Sequence, residues 1–245
     1  MTATPETTIR EIVATDFRAA AVFQRHGLDF CCNGCRTVEE GCREAGADEH
    51  EVLRELASVL GAPEGRLPRF AEWDSAALVN YIVANHHGYV RHTLPVLLQH
   101  TRKIADVHGE RHPELRHIAR LFERVSDEMV DHMAREERIL FPFVIAMDEA
   151  KGSGRPLPVA PFGTVENPIR MMEHEHQFVG DAMAEMRELT NDFSAPDDGC
   201  ATYRVCFEEL AAFDRDLRMH IHLENNILFP KAMALESALT GAPAR

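Results

Sequence analysis

The sequence predicts an all-α protein: a four-helix up-down-up-down bundle preceded by a small helical domain that carries cysteines. Three observations lead there. Four segments after Asp74 show an apolar seam spaced by alternating threes and fours, the pattern of helices packed in a bundle. The Val/Ile/Thr alternation between turn residues that marks strands is missing. Histidine and cysteine are segregated: twelve of fourteen histidines lie between His86 and His222, and four of six cysteines between Cys31 and Cys42.

At about 150 residues per domain, 245 residues suit one large domain or a large and a small one. A hydrophobic share of 45% and a charged share of 27% argue for a globular chain over a disordered one. Lys plus Arg number 26 against 40 Asp plus Glu, a net charge of −14 with no basic run, which argues against nucleic acid as a partner. No apolar stretch approaches the ~20 residues of a membrane span. Met1-Thr-Ala-Thr-Pro-Glu6 has neither a basic nor an apolar leader region, so the expected location is the cytoplasm.

Residues 8–60 read as short helices. Thr8-x-x-Glu11, Thr37-x-x-Glu40 and Asp48-x-x-Glu51 each resemble a reciprocal helix-starting box, and Gly27, Gly46 and Gly61 stand where helices should stop. About fifty residues is near the lower limit for independent stability, so this piece needs a further surface to pack on. The breaker-rich stretch after Gly61 gives the expected division: a small domain 1–62, a linker 63–73 and the bundle 74–240.

The four seams read Val83, His87, Val90, Leu94, Leu97, Thr101, Ile104; then Leu115, Ile118, Phe122, Val125, Met129, His132, Glu136, Ile139, Phe143. The third runs Val165, Ile169, Met172, His176, Val179, Met183, Met186, and the fourth Tyr203, Cys206, Leu210, Phe213, Leu217, His220, Glu224, Ile227. Breaks are expected at Gly109–Pro113, Gly152–Gly163 and Ser194–Gly199. Each seam holds one histidine, and two add a glutamate four residues on. His132-x-x-x-Glu136-x-x-Ile-Leu-Phe-Pro142 recurs 88 residues later as His220-x-x-x-Glu224-x-x-Ile-Leu-Phe-Pro230, and His87 and His176 lie 89 apart, so the bundle looks like two helical hairpins in repeat.

A residue pair four apart shares one helix face. Buried carboxylates at Glu136 and Glu224 require a cation or a proton. His87 lies 21 residues before His108 and Glu136 23 after Pro113, which sets them at similar depth in antiparallel helices. Four imidazoles and two carboxylates are too many for one tetrahedral zinc, but they suit two metals with each glutamate able to bridge. The expected cofactor is a pair of iron ions with a bridging oxide or hydroxide, manganese and zinc being possible substitutes. One His-x-x-x-Glu alone is usually a solvated pair; its recurrence in register is what points to metal. His86, His174 and His222 fall off the seams and read as supporting or surface groups, and Glu128 and Glu175 read as either supporting acids or solvated side chains. Pro95 should kink the first helix, and Pro142 and Pro230 either kink or end theirs.

Phe30-Cys31-Cys32-Asn33-Gly34-Cys35-Arg36-Thr37 leads into the helix of Cys42. Asn33-Gly34 predicts a tight turn, and Arg36 with the following helix start would favour a thiolate. Adjacent Cys31 and Cys32 are expected to point apart. The readings left open are a redox dithiol, a transient iron or cluster ligand set, and a structural Cys₄ site, with Cys32-x-x-Cys35 a moderate signal. Cys42 reads as core packing, and Cys200 and Cys206 as inert thiols.

The set His87, His132, Glu136, His176, His220 and Glu224, with both Ile-Leu-Phe-Pro stretches and His222-Leu-Glu-Asn-Asn226, resembles the hemerythrin-like domain. Asp29-Phe-Cys-Cys-Asn-Gly34 followed by Arg36-Thr-Val-Glu-Glu40 resembles the short domain that precedes it in the repair-of-iron-centres family. The resemblance implies a cytoplasmic, homodimeric di-iron protein that helps restore iron–sulfur proteins damaged by nitric oxide or peroxide. It implies His87, His132, His176 and His220 as iron ligands, Glu136 and Glu224 as bridges, and a function for the thiols of Cys31 and Cys32, here read as iron transfer. Where the family has Cys-Cys-Gly-Gly-Lys, this chain has Cys31-Cys32-Asn33-Gly34-Cys35, a thiol in place of a lysine. Three functions compete: iron supply for cluster repair, nitric oxide binding or reduction at the di-iron site, and dioxygen carriage or sensing. A need for Cys31 and Cys32 marks the first, nitrous oxide or a ferrous-nitrosyl signal the second, and a reversible oxygenated spectrum the third.

Overall fold

The computed structural model describes residues 2–62, 68–154, 156 and 159–241. Part of the expected linker (63–67) and part of the second break (155, 157 and 158) lie outside these. The chain divides into two compact units, Val79–His220 and Met1–Leu78 with Ile221–Arg245. Among the described residues the elements are helical, apart from one isolated bridge between Thr8 and Thr37. No helix among them is long and apolar enough to cross a membrane.

In the larger unit four long helices form the bundle: α6 (Gly88–His108), α7 (Glu114–Arg135), α9 (Glu166–Leu189) and α10 (Ala201–His222). Their directions follow from side-chain pairs. His87, just before α6, faces Glu137, just after α7, and Arg102 of α6 faces Glu123 of α7, so numbers rise on one helix as they fall on the other. The pairs His132–Glu175 and His117–Glu185 set α7 against α9 in the same way. His86–Asp216 and His100–Glu209 do so for α6 and α10. The predicted seams line the interior: Leu97, Ile118, Phe122, Val125, Met186, Leu210 and Phe213 are all fully buried. Phe122 and Phe213 meet edge to face at 5.5 Å.

One expectation fails for an instructive reason. Three π-helical stretches interrupt the ladder, Ile82–His87, Glu136–Leu140 and Leu223–Leu228. A π turn inserts an extra residue, so the seam slips by one position beyond it. Ile139, expected inside, is 47% exposed, and Leu140 is buried in its place. The first stretch continues α5 (Ser75–Tyr81), and Asn85 supports it, its amide donating to the Tyr81 carbonyl at 2.9 Å. Pro142 and Pro230 follow the other two after one intervening residue, and the helices run on through them as α8 (Phe141–Ser153) and α11 (Phe229–Thr240). A proline has no N–H to give, and where hydrogen bonds already skip a residue that lack costs least. Pro95 likewise lies inside α6, on its exposed face.

The third break starts earlier than the sequence suggested, after Leu189. Asn191, Asp192 and Phe193 all take left-handed backbone angles, φ 47°, 59° and 57°. Asn and Asp tolerate this; Phe does not ordinarily. Phe193 is held there because its N–H donates to Thr190 Oγ1 at 2.8 Å and its ring is buried beside Phe207.

In the smaller unit, α1 (Ile9–Thr15), α2 (Ala20–Arg25), α3 (Val38–Ala45) and α4 (Glu49–Gly61) close over Ile9, Ile12, Val22, Phe23, Val38, Val52 and Leu56. The boxes at Thr8 and Thr37 are reciprocal, whereas Asp48 accepts from the Glu51 N–H as a simple cap. Gly27 and Gly46 have positive φ, as helix-ending glycines should, but Gly61 is the last helical residue and Ala62 caps α4. The C-terminal stretch supplies the surface this small piece lacked: α1 packs on Leu223–Leu228.

His222 belongs to this packing, its ring 4.8 Å from that of Phe17 and its Nδ1 accepting from Asn226 at 3.1 Å. Burial drives its pKa down to about 3. The unfolded chain, with a histidine near ~6.5, takes the proton first, so stability is full above that pH and is lost as pH falls toward the folded value. Between about pH 7 and pH 5 the loss amounts to about 2 kcal/mol. In His222→Gln, denaturant titrations should show a correspondingly smaller acid loss; an unchanged one would remove His222 from the acid response.

Candidate metal centre

The π stretches sit where the polar seam residues are. His87 ends the first, Glu136 begins the second, and Glu224 is the second residue of the third. His132 comes from α7, His176 from α9 and His220 from α10. His87, His132, Glu136, His220 and Glu224 are 0% exposed and His176 is 1%.

In the larger unit His87, His132, Glu136, His176 and His220 converge. The Nε2 atoms of His87 and His220 are 3.2 Å apart, and those of His132 and His176 3.1 Å. Glu136 lies between the two pairs, its Oε2 being 3.3 Å from Nε2 of both His87 and His132. Neighbouring ligand atoms on an ion bound at ~2.1 Å stand about 3.0 Å (octahedral) to 3.4 Å (tetrahedral) apart, so the donor set fits metal. Glu224 lies one turn beyond His220 on the same continuous helix, in the smaller unit.

Two carboxylates orient the rings. Glu175 accepts from His132 Nδ1 at 2.8 Å and from Arg135 at 2.7 Å. Glu137 accepts from His87 Nδ1 at 2.6 Å and pairs with Arg91. With the proton held on Nδ1, the Nε2 lone pair faces the centre. Burial pushes the carboxyl of each glutamate up, but the bonds from histidine and arginine outweigh it and hold both below the usual carboxylate range. For Glu175, beside His176, the sequence left a supporting and a solvated role open, and its bond to His132 decides for the first. Glu137 was missed, because its partner lies 50 residues away; the signal was its place beside Glu136, opposite Arg91. Glu128, the other candidate acid, bonds Arg135 at 3.2 Å. Of the off-seam histidines, His174 is exposed, while His86 is buried, bonds Asp216 at 3.0 Å and stacks on His220 at 5.8 Å.

The cysteine segment lies in the smaller unit. Cys31 is buried, Cys32 half-buried and Cys35 exposed. Contrary to expectation, the first two do not point apart: their Sγ atoms are 3.8 Å from one another. Asp29 causes this, its Oδ1 accepting the N–H of both Cys31 and Cys32 at 3.0 Å and so coiling the loop. Arg36, expected to favour a thiolate, is drawn to Glu44 instead. Cys42 and Cys206 are core residues; burial raises both thiols, Cys206 to about 12. Cys200 is exposed, with His108 Nε2 3.1 Å from its sulfur.

Residues 78–232 match the hemerythrin HHE cation-binding domain, and residues 5–60 match ScdA_N, a domain of unknown function. The chain is 33% identical to the iron-sulfur cluster repair protein YtfE of Musicola paradisiaca (strain Ech703) over 235 residues, 95% of this chain and 98% of that one. It is 28% identical to the iron-sulfur cluster repair protein ScdA of Staphylococcus haemolyticus (strain JCSC1435), over 93% and 98% of the two chains. With YtfE of Yersinia pestis (strain Pestoides F) it shares 32% identity over 88% and 91%. With the HHE domain, its buried histidine–glutamate cluster, the ScdA_N domain ahead of it and 33% identity to a repair protein over nearly the whole of both chains, this chain belongs to the hemerythrin-domain family of iron–sulfur cluster repair proteins.

Proposed function

We propose that the chain stores two iron ions on His87, His132, Glu136, His176, His220 and Glu224, the two glutamates bridging. It supplies that iron to proteins whose iron–sulfur clusters have been damaged by nitric oxide or oxidants. The observation that carries this reading is the convergence of four imidazole Nε2 atoms around the buried Glu136. The names of the relatives, iron-sulfur cluster repair proteins, support that destination.

Bound there, the irons are the cargo, and the chain's residues hold and release them. Glu137 and Glu175 keep His87 and His132 in the metal-binding tautomer. A histidine–carboxylate set is harder than a thiolate set and leaves the ion exchangeable toward sulfur ligands. Cys31 and Cys32 are the thiols through which the iron leaves.

The test uses iron-loaded full-length protein and a [4Fe–4S] enzyme inactivated by nitric oxide. Wild type should restore that enzyme's activity beyond an equal amount of free ferrous iron, and Cys31→Ser/Cys32→Ser should fall back to the free-iron level. Equal restoration by wild type and the double variant would sink the transfer role.

A further inference from the structure

We propose that Asp29, Cys31 and Cys32 form a mononuclear site for a thiophilic divalent cation, a second metal site of the chain. It deepens the reading above, on which its role as the acceptor of outgoing iron rests. One ligand atom from each residue lies within 4.8 Å of the others. The two sulfurs stand 3.8 Å apart, and Cys31 Sγ is 3.3 Å from Asp29 Oδ1. Two thiolates on one tetrahedral ion at ~2.3 Å are about 3.8 Å apart, so the sulfurs already have the spacing of a bound pair.

The loop is held in this shape from several sides. Asp29 binds both cysteine N–H groups, and its Oδ2 accepts from the Asn33 amide at 2.7 Å. From the C-terminal helix, Asn225 donates to the Cys31 carbonyl at 3.1 Å and Asn226 to the Phe30 carbonyl at 2.9 Å. Arg10 fixes Asn226 through its Oδ1 at 3.1 Å and takes the Gly34 carbonyl on its own N–H at 2.7 Å. Gly34 is required here, because a Cβ would stand 2.7 Å from Asn226 Oδ1. These asparagines directly follow Glu224, so the thiol loop is hydrogen-bonded to the π stretch that carries a proposed iron ligand.

Without metal, the Cys31 thiol donates to Asp29. On binding, two metal–sulfur bonds replace two S–H bonds, two protons pass to solvent, and no electron moves. Two thiolates and a carboxylate beside one another repel, and a divalent cation removes that cost. Three protein ligands leave a position open for water or for an incoming thiolate of a client, the arrangement of a site that exchanges its metal.

Cobalt(II) added anaerobically to the reduced, full-length protein tests this, since a thiolate ligand produces a near-ultraviolet charge-transfer band that imidazole and carboxylate ligands do not. Wild type should show the band, with about two protons released per cobalt in the thiolate site. The band should persist in Glu136→Ala/Glu224→Ala and in Cys35→Ser, and vanish in Cys31→Ser/Cys32→Ser. Asp29→Asn should weaken cobalt binding ~10-fold or more. No band in wild type overturns the site, as does a band that survives the double serine variant or is lost in Cys35→Ser; far-ultraviolet circular dichroism establishes that each variant is folded. Repair activity is read separately: a missing band with cysteine-dependent repair refutes this site alone, and a cobalt band with cysteine-independent repair refutes the transfer role alone.

Discussion

Glu136→Ala/Glu224→Ala is expected to lose the bundle's iron altogether, from about two ions per chain to none, while keeping its helices. Both carboxylates are fully buried, Glu136 with His87 and His132 3.3 Å from its Oε2, and their charge would offset that of the cations. Their removal leaves neutral imidazoles, which cannot compensate two divalent ions in a low-dielectric interior. The stability of the metal-free protein should move the other way. A buried carboxylate without its cation is a burden, so the metal-free double variant should be as stable as wild type or more so. Iron at ~100 times its dissociation constant stabilises a protein by about 2.7 kcal/mol, and that gain should disappear in the variant. Anaerobic metal analysis with Mössbauer spectroscopy, paired with denaturation with and without iron, measures both. A variant that still held a coupled iron pair would place the ligands elsewhere; one zinc or no metal in wild type would refute the iron store.

The second large effect belongs to residues that touch no metal in this reading. Glu137→Gln and Glu175→Gln should each weaken iron binding by ~10- to 100-fold. The two act on different halves of the cluster: Glu137 holds His87, paired with His220, and Glu175 holds His132, paired with His176. Glutamine keeps the shape and an acceptor oxygen but removes the charge that makes the far nitrogen a stronger donor. Each single variant should therefore lose one ion before the other, seen as a mixed mono- and di-iron Mössbauer signal at limiting iron. Affinities unchanged within twofold would reduce these carboxylates to surface ion-pair partners of Arg91 and Arg135.

Much of this site could be read directly from residue spacing. Each seam histidine is buried, and the repeated His-x-x-x-Glu motifs lie on the faces assigned to them. The six-residue set was legible because helical periodicity is local: a residue's face follows from its neighbours three and four positions away. The orienting carboxylates depend on register across helices instead. Glu137 meets a histidine 50 residues away, and no pattern within one helix encodes that meeting.

By itself, then, the sequence determined the helices, the interior faces of the four long ones and the burial of the six seam histidines and glutamates proposed to hold iron, all set by short-range geometry and by the cost of burying charge. The tertiary structure decided three further things. It placed a π turn at His87, Glu136 and Glu224, exposing Ile139 and burying Leu140, because the added residue lets a polar side chain and its apolar neighbours face inward together. It put Ile221–Arg245 in the compact unit of the N-terminal helices, which are too few to bury a core alone. And it turned Cys31 and Cys32 toward each other, because Asp29 gathers their N–H groups while Asn225 and Asn226, nearly two hundred residues later, hold the carbonyls. Such contacts join residues far apart in the chain, and only the folded backbone brings them within hydrogen-bonding distance.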